Sequence, residues 1–203
     1  MLRDLINQQI RTILGRTKSP GEFLYPKGDP GLFGPNSMVW VVHQDFISMM
    51  IGGISSLILQ ALHPLALAGV WDHSSFRKDL QGRLGRTAYF IAVTTYGSTD
   101  MATQMITRVK KIHDSLHGFH PDGRAYSVSD PELLYWVHLT EATSFLNAYQ
   151  NFVQPYLSTQ QKNQYIREMS VITGMLGCNF MEGSIHYPFA KTYQDALLAI
   201  ERY

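Results

Sequence analysis

Arg83, Arg86 and Thr87 in GRLGRTAYF, and Lys110, His113 and His117 in RVKKIHDSLHG, are the residues whose types and spacing could do chemistry. On a helix each residue advances by about 100°, so positions can be sorted by face. In the segment 100–117, Met105, Val109, Ile112 and Leu116 form one apolar stripe, which Ala102 and Ile106 widen. His113 falls between those groups on the buried arc, with Lys110 and His117 at its margin and Arg108, Lys111 and Asp114 pointing away. A neutral imidazole facing a core is either a hydrogen-bonded structural residue or a ligand for something held in that core. Lys110 and His117, one turn to either side, offer positive charge for a ligand's carboxylates. In the segment 80–96, the face containing Leu84, Thr87, Phe90, Ile91 and Thr94 also contains Arg83, with Arg86 at its edge. A guanidinium does not deprotonate, so burying it is costly unless it is compensated. Arg83 therefore snorkels to the surface, pairs with a buried carboxylate, or faces a bound anion or oxygen species.

The other histidines divide by context. His138, in WVHLT, lies in an apolar helix and is the second candidate ligand; His63, in QALHP, ends another and either satisfies helix carbonyls or serves as an alternative ligand. His43 reads as structural, bonded near Asp45, and His73, His120 and His186 sit in turn-like surroundings. Cys178 follows Gly177 with no activating base and reads as a buried, inert thiol. There is no HExxH, no GxxxxGK[ST] phosphate loop and no GxGxxG fingerprint. Glu141 and Glu168 have no histidine three residues later, as a helical di-iron site would require.

These residues must be carried by helices, because turn signals cut the chain into helical lengths and no sustained period-2 alternation suggests a sheet. The spacing predicts an all-α, single compact domain of about seven helices spanning 1–203. A first helix over 1–14 precedes a Pro/Gly-rich loop at 15–37. One or two helices follow over 38–62, then a short helix over 65–71 opened by Pro64. Helices over 80–96, closed by Gly97, and 100–117, capped by Ser98 or Thr99 and closed by Gly118, carry the chemistry. Asp130 with Pro131 opens a helix to about Val153, Ser158 caps one reaching Leu176, and the last covers about 192–200.

Composition narrows the function. Hydrophobic residues at 45% and charged residues at 16% describe a folded domain. A formal net charge of +1 removes the electrostatic case for nucleic acid. A single cysteine excludes an intramolecular disulfide and any multi-cysteine metal site. The opening MLRDLINQQIRTILGR lacks the apolar core of a signal peptide, so a cytoplasmic location is expected. ISMMIGGISSLIL at 47–59 is too short to cross about 30 Å of hydrocarbon and reads as a buried core helix.

Five stretches occur in order: GDPGLFGPNSMVWVVHQD, LILQALHPLALAGVWDHSSFRKD, GRLGRTAYFIAVTTYGST, RVKKIHDSLHG and DPELLYWVHLTEATSF. Together, over about 28–176, they resemble the rubber oxygenase (latex-clearing protein) and MpaB-type oxygenase catalytic domain. The resemblance implies an all-helical fold with a haem-binding core, holding haem b and its iron. It implies His113 as the axial ligand, with Lys110 before it and His117 standing where an arginine is usual. It implies Arg83 and Thr87 on the distal side, with Arg86 in place of a lysine. Arg83 would then stabilise negative charge developing on oxygen and Thr87 would donate or relay a hydrogen bond. The expected activity is that of a haem-dependent oxygenase, with O₂ acting on an apolar, isoprenoid-like or alkene substrate. Such a substrate is compatible with peripheral membrane proximity. The alternatives are a non-catalytic helical haem sensor or carrier and a cofactor-free helical interaction domain. The stretch after residue 178 is shorter than expected for the family, which suits a fragment, a trimmed domain or a compact member.

Overall fold

A computed structural model of the protein describes residues 28–178 and 190–202. The helix expected over 1–14, most of the loop expected at 15–37 and His186 lie outside the described residues. Among them are eight α-helices: α1 (Met38–His43), α2 (Phe46–Leu62), α3 (Pro64–His73), α4 (Leu80–Tyr96), α5 (Thr99–Asp114), α6 (Pro131–Phe152), α7 (Thr159–Met175) and α8 (Tyr193–Ile200). A 3₁₀ turn at Ser75–Arg77 and a two-stranded antiparallel hairpin, β1 (His117–Phe119) and β2 (Ala125–Ser127), complete the elements of the described residues.

Short polar side chains start every described helix but α3 by accepting orphan N–H groups. Asp130 accepts from Leu133 N at 3.0 Å with Pro131 in the first turn, while Ser158 with Gln161 and Thr192 with Asp195 form capping boxes. Asp45, extended at φ −90° and ψ 108°, accepts from Ser48 N at 2.8 Å and so divides the 38–62 stretch into α1 and α2. His63 caps forwards: its Nδ1 accepts from Ala66 N at 3.3 Å at the start of α3.

α6 is buried on nearly every face, the behaviour of a helix at the centre of a domain. Leu134, Leu139, Phe145 and Leu146 join Met38, Val39 and Val42 of α1 and Tyr165, Ile166 and Met169 of α7 in the main core. Each large side chain buried there contributes about 1.5–3 kcal/mol. α2 crosses α6 in the most extensive helix pairing of the fold. Gly52 makes that closeness necessary: a Cβ there would lie 2.8 Å from Phe145 Cα and 2.9 Å from Ser144 O. The buried face of α2 is therefore its small one, Ser48, Gly52 and Ser56, whereas Ile47, Ile54, Ile58 and Leu62 point outward. The reading of 47–59 as a core helix is corrected accordingly; the core contacts come from small residues because only they allow the close crossing. Among the described residues no single helix is long and apolar enough to cross a membrane.

α4 matches its expected bounds, but α5 ends at Asp114 rather than at residue 117. Ser115 Oγ donates to Ile112 O at 2.7 Å, and Leu116 O accepts from Val128 N at 2.9 Å. The hairpin ladder thus takes over where helix was expected. His117 begins β1 and is exposed.

Candidate functional site

A cavity of about 1440 Å³ lies between two pairs of helices. One wall is α2 against α6, the other α4 against α5; α5 and α6 make no extended packing with each other. The volume exceeds the ~300–1,000 Å³ of ordinary small-molecule pockets. Its lining is mainly apolar, with Met49, Leu57, Phe90, Ile91, Val137 and Phe145 around a few polar groups.

His113 enters from the end of α5, as its helical phase requires. Its Nδ1 is fully buried and has no hydrogen-bond partner. Burial, reinforced by the neighbouring His138 ring and opposed by Asp114, pulls its pKa from 6.5 down to about 4. The imidazole is therefore neutral at pH 7, with a lone pair available to an electrophile or metal. The second unpartnered buried polar atom among the described residues is Trp40 Nε1, and Trp40 lines the same cavity. Buried polar groups are nearly always satisfied, so these two unpartnered atoms, on α1 and α5, set this region apart from the rest of the described interior.

Arg83, Arg86 and Thr87 reach the cavity from α4. Arg83 Nη1 donates to Ser74 Oγ at 2.6 Å, and among the described residues no carboxylate pairs with it. Burial and the adjacent Arg86 lower its pKa, which makes its charge costly and receptive to an anion. Arg86 is tied at the rim to Asp79 at 3.4 Å and to Ser75 Oγ at 2.8 Å. Thr87 Oγ1 donates to Arg83 O at 3.2 Å, and the residue is exposed at the cavity's edge.

His138 lines the cavity from α6, and its Nδ1 lies 3.5 Å from Glu141 Oε2. Glu141 lines it too. Three of the residues singled out in the sequence stand elsewhere. Lys110 pairs with Asp114 at 2.7 Å on the surface of α5, His117 is on the hairpin, and His63 caps α3 against the Trp136 ring, centroids 4.7 Å apart.

Sequence reasoning did not find Glu141 as a partner of His138, because it looked for Glu-x-x-His and the chain has the reverse order. The i,i+3 spacing was the available signal. It also missed the partners of His43, which are remote: Nδ1 meets Thr95 Oγ1 at 2.8 Å and Nε2 meets Tyr165 OH at 3.0 Å. Glu168 serves structure, accepting from Val39 N at 2.9 Å at the start of α1. Cys178 is fully buried, and burial raises its thiol to about 12. No group of three or more potential metal-ligating side chains occurs among the described residues.

No curated protein and no solved structure matches the chain. One family does, over residues 40–185, a span that contains both cavity walls. With that match covering more than half of the sequence, the chain belongs to the ER-bound oxygenase mpaB/B'/Rubber oxygenase catalytic domain family.

Proposed function

We propose that the protein is a haem b-dependent oxygenase that uses O₂ on an apolar alkene or isoprenoid-like substrate. The observation that carries this reading is the cavity itself: large, apolar, and lined by a neutral histidine whose buried Nδ1 has no partner. The residues present fit haem. Imidazole is a common haem ligand, and the apolar walls suit a macrocycle with a hydrocarbon substrate beside it. Haem, when bound, would supply the activation of dioxygen.

His113 would hold the iron, its neutrality at pH 7 sparing the site a proton to displace. Arg83 keeps a positive charge inside the cavity and would favour negative charge developing on oxygen. Thr87 would direct its hydroxyl to the same region by turning from the Arg83 carbonyl. The apolar side chains of both walls would exclude water and receive the alkene.

The test is the absorption spectrum of the purified protein with added haemin, before and after reduction and CO. A Soret band that shifts with CO, abolished in His113→Ala, is expected. Arg83→Met should keep haem bound while lowering alkene oxidation by about 10²–10³. Haem bound normally by His113→Ala overturns the axial assignment. Haem without alkene oxidation turns the reading to a carrier or sensor, and no haem at all to a cofactor-free interaction domain.

A further inference from the structure

The cavity has a polar end to which the haem reading gives no role. Its lining changes character in step along two elements. On α3 and the turn after it, Leu65, Ala66 and Val70 give way to His73, Ser74 and Ser75. On α4, followed towards its start, Phe90, Ile91 and Ala92 give way to Thr87, Arg86 and Arg83. Ser75, Arg86 and Thr87 are exposed as well as lining, so the polar end is a mouth and the apolar stretch lies behind it.

The two polar stretches meet. Arg83 Nη1 donates to Ser74 Oγ at 2.6 Å and Arg86 Nη2 donates to Ser75 Oγ at 2.8 Å. Two guanidiniums one turn apart on α4 are thereby drawn onto neighbouring hydroxyls, which carry no charge to offset theirs. Arg86 also reaches Asp79, but at 3.4 Å, with the two side chains 62% and 53% exposed, and Asp79 Oδ1 is occupied with Gly82 N at 2.8 Å. An exposed pair of that kind holds its partners weakly. Arg77 and Lys78 stand exposed on the adjoining turn. Residues 72–87 thus carry four Arg and Lys against two Asp, a larger surplus than the +1 of the whole chain. On the lining the one acid among the described residues is Glu141, which belongs to α6 and lies beside His138.

A guanidinium offers a planar fork of N–H donors that matches the oxygens of a carboxylate or a phosphate. We propose that this mouth binds the anionic head, carboxylate or phosphate, of an amphiphilic alkene whose apolar tail lies in the cavity behind it. The proposal rests on the apolar-substrate reading of the cavity and does not require haem. Arg86 would exchange Asp79 for the head and Ser75 would add a hydroxyl donor, while the half-buried Arg83 keeps its place further in. Holding the head at the mouth fixes how far the tail reaches, so the number of carbons between head and double bond would decide which alkenes are presented to the interior.

The experiment is isothermal titration of the full-length protein, with and without haem, using citronellyl phosphate, citronellic acid and citronellol, which share an alkene tail and differ in the head. At least one of the two anions is expected to bind about tenfold more tightly than the alcohol or better, with and without haem, and the comparison of phosphate with carboxylate identifies the head. The preference should shrink as salt screens the mouth. Arg86→Gln should reduce it to about twofold or less and leave citronellol affinity unchanged. Lys78→Gln, which removes an equal charge outside the lining, should retain most of it. Equal affinity for the anions and the alcohol in the wild type, or a preference untouched by Arg86→Gln, overturns the head site and leaves the apolar cavity standing. A preference that Lys78→Gln lowers as far as Arg86→Gln does overturns the site in favour of a diffuse field, and one that disappears on haem loading assigns these cations to the carboxylates of the haem itself. If none of the three ligands binds while the haem spectrum is normal, the head site and the apolar-substrate reading both fall and haem binding survives.

Discussion

Lowering the pH should destabilise the fold through His43, by an amount the structure allows to be worked out. His43 is fully buried, and burial pulls its pKa from 6.5 down to about 3. In the unfolded chain the imidazole takes up a proton as the pH falls through 6.5; in the folded protein it stays neutral, bonded to Thr95 and Tyr165. Its folded pKa is depressed, so the stability it confers is complete above 6.5 and is lost progressively below it. At pH 5, about 1.5 units below the unfolded value, the loss is about 2 kcal/mol at ~1.4 kcal/mol per unit. The perturbation is His43→Gln, which keeps an amide donor and acceptor near Thr95 and Tyr165 but does not titrate. Urea unfolding of both proteins at pH 7 and pH 5 gives the comparison. The wild type should lose about 2 kcal/mol more than the variant between the two pH values, whatever the variant costs at pH 7. Equal losses would refute the argument, showing that this imidazole is protonated without unfolding.

Three further outcomes follow from the geometry. Gly52→Ala places a Cβ 2.8 Å from the backbone of α6 and should cost about 1–3 kcal/mol despite alanine's better helix propensity, seen as a lower thermal midpoint; an unchanged or higher midpoint would sink the tight crossing. Under the proposed haem-binding function, Lys110→Met and His117→Gln should leave haem affinity within about twofold, since one side chain is paired on the surface and the other lies on the hairpin; a tenfold loss, about 1.4 kcal/mol by titration, would return them to the proposed site. Cys178, buried with its thiol raised to about 12, should resist alkylation at pH 8 until the protein unfolds, and rapid labelling of the native state would contradict the packing.

The helix starts at Asp130 and Ser158 were legible because capping is local chemistry: the side chain and the N–H it satisfies lie within three residues. The phase of α5 was legible too, since its apolar stripe alone puts His113 on the inner arc. The end of α5 was not, because the competing partner of Leu116 is Val128 and no residue near 117 announces that pairing. His43 was read as structural, but its partners lie 52 and 122 positions away. The outward turn of the isoleucines on α2 is equally non-local. Periodicity marks two faces, and it was the shape of α6, closing on Gly52, that chose the smaller one.

The two walls of the cavity are built from separate seams, α2 on α6 and α4 on α5. Met50, Leu57, Leu84 and Ala88 face the space between them and stand outside the buried core clusters. What the cavity admits and whether the chain folds are consequently separate traits. A lineage can change its preferred substrate by drift at such positions while the seams keep the architecture, and a laboratory library confined to them would sample specificity with most of its members still folded.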